Sequence, residues 1–127
     1  MSLRTPLGRV LGHGSAKEGV SHWWLQRVSS VALIPLTLWF IFALLGLPAL
    51  DYATVHAWMG SGWTPVFLLL LVGTLCYHSW LGVQVVIEDY VHGKVSKVAA
   101  LTGSSFVHAL VAAACVFAVL KIAFQGA

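Results

Sequence analysis

Three apolar runs, each about as long as a bilayer is thick, decide what this chain can fold into. They cover approximately Arg27 to Leu47, Pro65 to Glu88 and Thr102 to Phe124. A helix needs roughly 20 consecutive apolar residues to cross a ~30 Å hydrocarbon core. Unpaired backbone groups are not tolerated in lipid, so lone spanning segments must be helical, and the period-two alternation of a transmembrane barrel is absent from the sequence. The expected fold class is an all-α membrane protein with three transmembrane helices, at about 25–47, 65–88 and 102–124. Residues 1–127 read as a single membrane domain, with an N-terminal segment 1–24 outside the bilayer. Met1 to Gly19 carries neither the apolar core nor the cleavage site of a secretory signal, so the first run is expected to be retained as a helix.

Charge supports this reading. Hydrophobic residues make up 59% of the chain and charged residues 9%, against about 25% charged in ordinary soluble domains. Too few charges remain to cover a water-facing surface. The net charge of +3 is not a nucleic-acid signature, because the basic residues cluster beside the apolar runs. Arg4, Arg9, Lys17 and Arg27 precede or open the first run, and Lys94 and Lys97 lie between the second and third. The connection Ala49 to Thr64 has no Lys or Arg and carries Asp51, Tyr52, Trp58 and Trp63, which suit an interfacial belt. The positive-inside rule then predicts a cytoplasmic N-terminus and second connection, with the first connection and the C-terminus on the periplasmic side. Lys121 opposes this weakly, because one charge near a helix end can snorkel.

Punctuation agrees with these limits. Pro48 ends the first run, and Pro65 suits a first helical turn. Thr102, Gly103 and Ser104 offer capping chemistry for the third helix. Pro35 predicts a kink inside the first helix. Cys76 and Cys115 sit inside apolar runs and read as small buried apolar residues, without disulfide or metal-ligand spacing.

Ionisable residues inside a membrane are expensive, which makes them functional candidates. His78 lies near the middle of the second helix. A neutral imidazole there can bind haem iron or hydrogen-bond a neighbouring helix. Gly82 shares its face one turn on and would let a flat macrocycle approach the backbone. Arg27 opens the first helix, with His22 just before it. It either snorkels to headgroups or holds an anion such as a haem propionate through its guanidinium fork. Asp89 returns to nearly the face of His78, ~16 Å further along the axis. Tyr90 beside it is either a belt residue or a hydrogen-bond donor to a quinone carbonyl. His108 shares a stripe with Ser104, Ser105, Ala112 and Cys115, which reads as helix packing, and a second haem ligand is the alternative. His13, His56 and His92 fall in connecting segments.

Two stretches resemble a known family. His78-Ser79-Trp80-Leu81-Gly82 followed by Glu88-Asp89-Tyr90-Val91 is similar to the second helix of the succinate dehydrogenase (respiratory complex II) hydrophobic membrane anchor subunit of the SdhD type. Gly14 to Gly19 and His22-Trp23-Trp24-Leu25-Gln26-Arg27-Val28-Ser29-Ser30 resemble its alphaproteobacterial branch. The resemblance implies a partner anchor of the SdhC cytochrome b type, together with flavoprotein and iron–sulfur subunits. It implies a haem b shared between the two anchors, with His78 as one axial ligand to the iron. It implies a ubiquinone site at Tyr90 and Asp89, with Arg27 and His22 near the propionates and quinone pocket. The chain has no nucleophile–base pair, dinucleotide loop or iron–sulfur cysteine set, so succinate chemistry would belong to the partner subunits. Two alternatives stand beside this: an anchor of a fumarate reductase, and a non-enzymatic membrane scaffold or transporter subunit.

Overall fold

The computed structural model describes residues 19–125. Arg4, Arg9, Lys17, His13 and the Gly14 to Glu18 stretch lie outside them. Four helices follow in order: α1 (Gly19–Leu45), α2 (Tyr52–Met59), α3 (Thr64–Tyr90) and α4 (Lys94–Gln125). Three of them, α1, α3 and α4, are long and apolar enough to cross a membrane. No strand occurs among the described residues.

Two helices begin earlier than the apolar runs suggest. α1 starts at Gly19, which puts His22 and Arg27 well inside the helix rather than before and at its start. α4 starts at Lys94, so Thr102, Gly103 and Ser104 are helical rather than capping residues. Hydropathy marks where lipid begins, not where a helix must end. Ala99, Ala100 and Leu101 are good helix formers with no breaker among them, so α4 extends beyond its apolar part. Its first turn closes with the Lys97 N–H donating to the Gly93 carbonyl at 2.8 Å. Lys97 Nζ also donates to the Glu88 carbonyl at 2.9 Å, satisfying an orphan acceptor near the end of α3. Pro65 occupies the first turn of α3 as expected, and Pro35 lies inside α1.

The short helix α2 lies within the connection between the first two spans. Asp51 is its N-cap, accepting from the Thr54 backbone N–H at 3.0 Å and from Thr54 Oγ1 at 2.8 Å. These bonds to Thr54, the backbone one first, hold the Asp51 carboxyl below its ordinary pKa of 3.8. Gly60 ends α2, and a side chain there would meet the Ile122 carbonyl of α4 at 3.3 Å. Gly62 follows with φ of +51°, a left-handed conformation in which glycine avoids the steric cost. Trp58 turns inward and stacks near Trp39 at 6.1 Å, and Trp39 stacks on Phe67 at 4.8 Å. This aromatic cluster ties α1, α2 and α3 together at one end of the molecule. Tyr52 and Trp63 stay exposed, as belt residues do.

The spans form an open row. α1 and α4 each pack on α3 and not on one another. Among the described residues only Leu68 and Leu81 of α3, Val119 of α4 and Ser29 of α1 are buried. Large side chains such as Ile34, Phe42, Phe106, Leu110 and Phe117 face outward. In water those faces would be untenable; in a bilayer, lipid or another apolar protein surface covers them.

Candidate functional site

A column of polar side chains runs between α1 and α3. His22, Gln26 and Ser29 stand at i, i+4 and i+7 on α1, one helical face. Opposite them are Gln84 and His78 of α3. His22 Nε2 donates to Gln84 Oε1 at 3.1 Å. Ser29 Oγ lies 2.8 Å from His78 Nδ1, and Gln26 Nε2 lies 3.4 Å from His78 Nε2. Ser29 is 7% exposed, which makes it the one buried polar residue among those described. The Gln26 Oε1 atom is buried without a hydrogen-bond partner. A polar group desolvated in this way normally has a partner, so an orphaned acceptor beside a histidine marks an incompletely satisfied place.

The column opens into a cavity of about 730 Å³ between α1 and α3, toward the end that carries Glu88. His22, Gln26, Gln84 and Glu88 are among its polar lining residues, and Trp23 and Trp80 among its aromatic ones. The volume lies within the ~300–1,000 Å³ typical of small-molecule pockets.

The residues singled out in the sequence separate into two groups. His78 and His22 belong to the column. Arg27, Asp89 and Tyr90 do not: all three are exposed, Tyr90 by 79%, and none lines the cavity. The Arg27 guanidinium lies over the Trp23 ring, 5.4 Å from its centroid, a cation–π contact. Asp89 and Tyr90 face outward from the end of α3. Gln26, Ser29 and Gln84 were not identified as site residues from sequence. Their signal was present as polar side chains within or directly before apolar runs, two of them spaced to share the face of His22.

His108 has a different setting. Its Nδ1 donates to the Ser104 carbonyl of its own helix at 2.8 Å, which leaves Nε2 to accept from Ser79 Oγ at 3.2 Å. Beside it, Trp80 Nε1 donates to Ser105 Oγ at 3.0 Å, and Ser105 Oγ donates to the Leu101 carbonyl at 2.9 Å. These contacts join α3 to α4, the packing role that the small-residue stripe predicted. Cys76 and Cys115 are unpaired and half-buried.

Among the described residues no three His, Cys, Asp or Glu side chains converge on one point. A metal at His78 would therefore need its remaining ligands from outside these side chains. A methyl group added at Gly82 would touch only Gln26 Nε2, at 3.5 Å, an ordinary contact. Nothing among the described residues requires the bare backbone there.

Fold and site together define a multi-pass membrane protein with a polar seam between two of its spans. Residues 1–120 match the family described as succinate dehydrogenase/fumarate reductase transmembrane subunit, and the chain belongs to that family. It is similar to the succinate dehydrogenase hydrophobic membrane anchor subunit of Rickettsia bellii, 35% identical over 88 residues that span 69% of this chain and 70% of the relative. It is also similar to the subunit of that name in Paracoccus denitrificans, 33% identical over 110 residues that span 87% of this chain and 85% of the relative. The corresponding Rickettsia conorii subunit is 39% identical over 79 residues, 61% of this chain and 63% of that one. No solved structure matches.

Proposed function

We propose that this chain anchors a succinate dehydrogenase in the bacterial inner membrane, contributes one axial ligand to haem b, and forms part of a ubiquinone-reducing site. The observation that carries the reading is the unfinished polar seam around His78. An imidazole held from one side by Ser29 faces an amide whose oxygen has no partner. Displacing the Gln26 side chain would expose His78 Nε2 and relieve the orphaned Oε1 together, so the residues present fit a macrocycle approaching over Gly82. His78 would hold the iron, and Arg27 with His22 would face the propionates. Bound haem would supply one-electron redox chemistry at the interface between two anchors.

The open row of spans supports a partner anchor of the SdhC cytochrome b type, because α1 and α4 leave apolar faces that neither buries against the other. The outward position of Tyr90 and Asp89 fits a quinone pocket completed by partner subunits. There the Tyr90 hydroxyl would donate to a quinone carbonyl, and Asp89 would lie next to it. The basic residues Arg27, Lys94 and Lys97 favour a cytoplasmic position for that end, where an iron–sulfur subunit could deliver electrons and protons are available. On this reading the N-terminus is cytoplasmic and the C-terminus periplasmic. Succinate oxidation itself is assigned to the flavoprotein subunit, and this chain orients cofactor and quinone.

Gentle detergent purification of the tagged chain tests the assembly. Flavoprotein and iron–sulfur subunits are expected to co-purify, with a b-type haem in the reduced-minus-oxidised spectrum. Recovery without haem and without those subunits would point to a scaffold instead. For the quinone site, Tyr90→Phe is expected to lower quinone reduction by about 10-fold, the scale of one transition-state hydrogen bond. Succinate oxidation with an artificial acceptor should persist. Equal loss of both activities would mean failed assembly rather than a quinone contact.

A further inference from the structure

Ser29 has one hydroxyl proton, and two groups compete for it. Its Oγ stands 3.0 Å from the Gln26 carbonyl, which can only accept, and 2.8 Å from His78 Nδ1, which can do either. Two networks are chemically consistent. In the first, Ser29 donates to the Gln26 carbonyl and accepts from a protonated Nδ1, while the Gln26 amide donates to a bare Nε2. All three contacts are then hydrogen bonds, and only Gln26 Oε1 remains unpaired. In the second, the amide is turned over and its oxygen accepts from a protonated Nε2. Ser29 must then donate to Nδ1, the bond to the Gln26 carbonyl is lost, and a buried NH₂ is stranded instead. The first network makes one more hydrogen bond and strands the amide oxygen rather than the whole amide NH₂.

We infer that Ser29 is a positioning residue that fixes His78 in its Nδ1–H tautomer and so presents Nε2 as the metal-binding nitrogen. The value of this rests on the reading of His78 as a haem ligand, although the tautomer itself does not. An Nδ1–H···O bond does two things for a ligating imidazole. It sets the ring orientation, and it raises the basicity of the nitrogen that faces the metal. Ser29 suits the task because it is buried and because its own proton is committed to a carbonyl three residues back on α1. The hydroxyl is left as an acceptor at the point where the ring needs one. Gln26 plays the complementary part. Its long 3.4 Å contact holds a place at Nε2 that is readily surrendered.

The test reads the tautomer directly. The full chain, labelled with ¹⁵N-histidine and placed in lipid bilayers without haem, is examined by solid-state NMR, with His78 identified by loss of its signals in His78→Gln. The wild type is expected to show a protonated Nδ1 and a bare Nε2. Ser29→Ala should shift the tautomer ratio toward Nε2–H by about fivefold, the equilibrium factor of one net hydrogen bond. Ser29→Thr, which keeps the hydroxyl, should restore the wild-type pattern, and Gln26→Leu should leave Nδ1 protonated. A wild-type spectrum with protonated Nε2, or an unchanged ratio in Ser29→Ala, overturns the inference. If Ser29→Ala does not fold, Gln26→Leu decides: loss of the Nδ1–H form there would show that the amide, not Ser29, sets the tautomer. A second readout uses the assembled complex, where Ser29→Ala should raise the haem midpoint potential and Ser29→Thr should not. An unchanged haem spectrum in His78→Ala would defeat the ligand assignment while leaving the tautomer result intact, so the two failures are distinguishable.

Discussion

Each side of α3 has a histidine at its seam with a neighbouring span, His108 of α4 on one and its own His78 on the other, and the two sites differ in completeness. Toward α4, His108 bonds its own backbone through Nδ1 and Ser79 through Nε2. Both nitrogens are satisfied, and Trp80 bonding Ser105 reinforces the seam. Toward α1, His78 has one good partner in Ser29 and one long contact to an amide whose oxygen is orphaned. Residue type alone therefore does not separate the two rings; the completeness of their hydrogen bonding does. A ring whose two nitrogens are both satisfied locks helices together. A ring with a weakly held nitrogen can exchange that contact for a ligand.

Substituting the two histidines in turn should break this comparison or sharpen it. His78→Ala is expected to abolish or reshape the haem ligation spectrum of the purified complex. His108→Ala should leave that spectrum unchanged and lower thermal stability. Loss of haem in both variants would erase the distinction. A smaller effect is expected along the α3–α4 seam. Trp80→Phe removes the indole donor to Ser105 while keeping an aromatic ring. It should destabilise the chain by roughly 0.6 kcal/mol, the mean for interhelical hydrogen bonds in membranes, measured by unfolding in mixed micelles.

The smallest effect belongs to α2, which lies away from both histidines. Its N-cap carboxylate has a pKa below the ordinary 3.8. A depressed carboxyl pKa stabilises the fold above the unfolded value, and that contribution is lost as pH falls through the lower folded value. Amide exchange at Thr54 and Val55 should therefore quicken, relative to α3, as pH drops below that of the free carboxyl group. In Asp51→Ala the quickening should already be present at neutral pH and show no such acid dependence.

How much was legible beforehand differs between the helices. α1, α3 and α4 could be read because hydropathy over about 20 residues is a strong, local signal. The early starts at Gly19 and Lys94 were missed because helix continuation outside lipid depends on propensity and caps, which hydropathy ignores. α2 was missed because eight residues are too few for periodicity to register. Its Asp51 cap, with Thr54 three residues on, and its terminal Gly60 were nonetheless visible in the sequence. His78 stands out in the sequence as a candidate by its depth and surroundings. Its partners Ser29 and Gln26 do not, since a sequence does not state which face of one span meets which face of another.

The sequence alone determined that the chain crosses a membrane three times as helices, that Arg27, Lys94 and Lys97 flank the apolar runs while the first connection has no Lys or Arg, and which family its second span resembles. These follow from length, hydropathy and residue order, all carried locally along the chain. Only the tertiary structure decided that α3 stands between α1 and α4, that Ser29 and Gln26 meet His78, and that Arg27, Asp89 and Tyr90 remain outside the seam. The physical reason is that hydropathy is nearly uniform around each span. It fixes depth but not rotation, and the pairing of faces comes from a few polar and small side chains that find each other across helices.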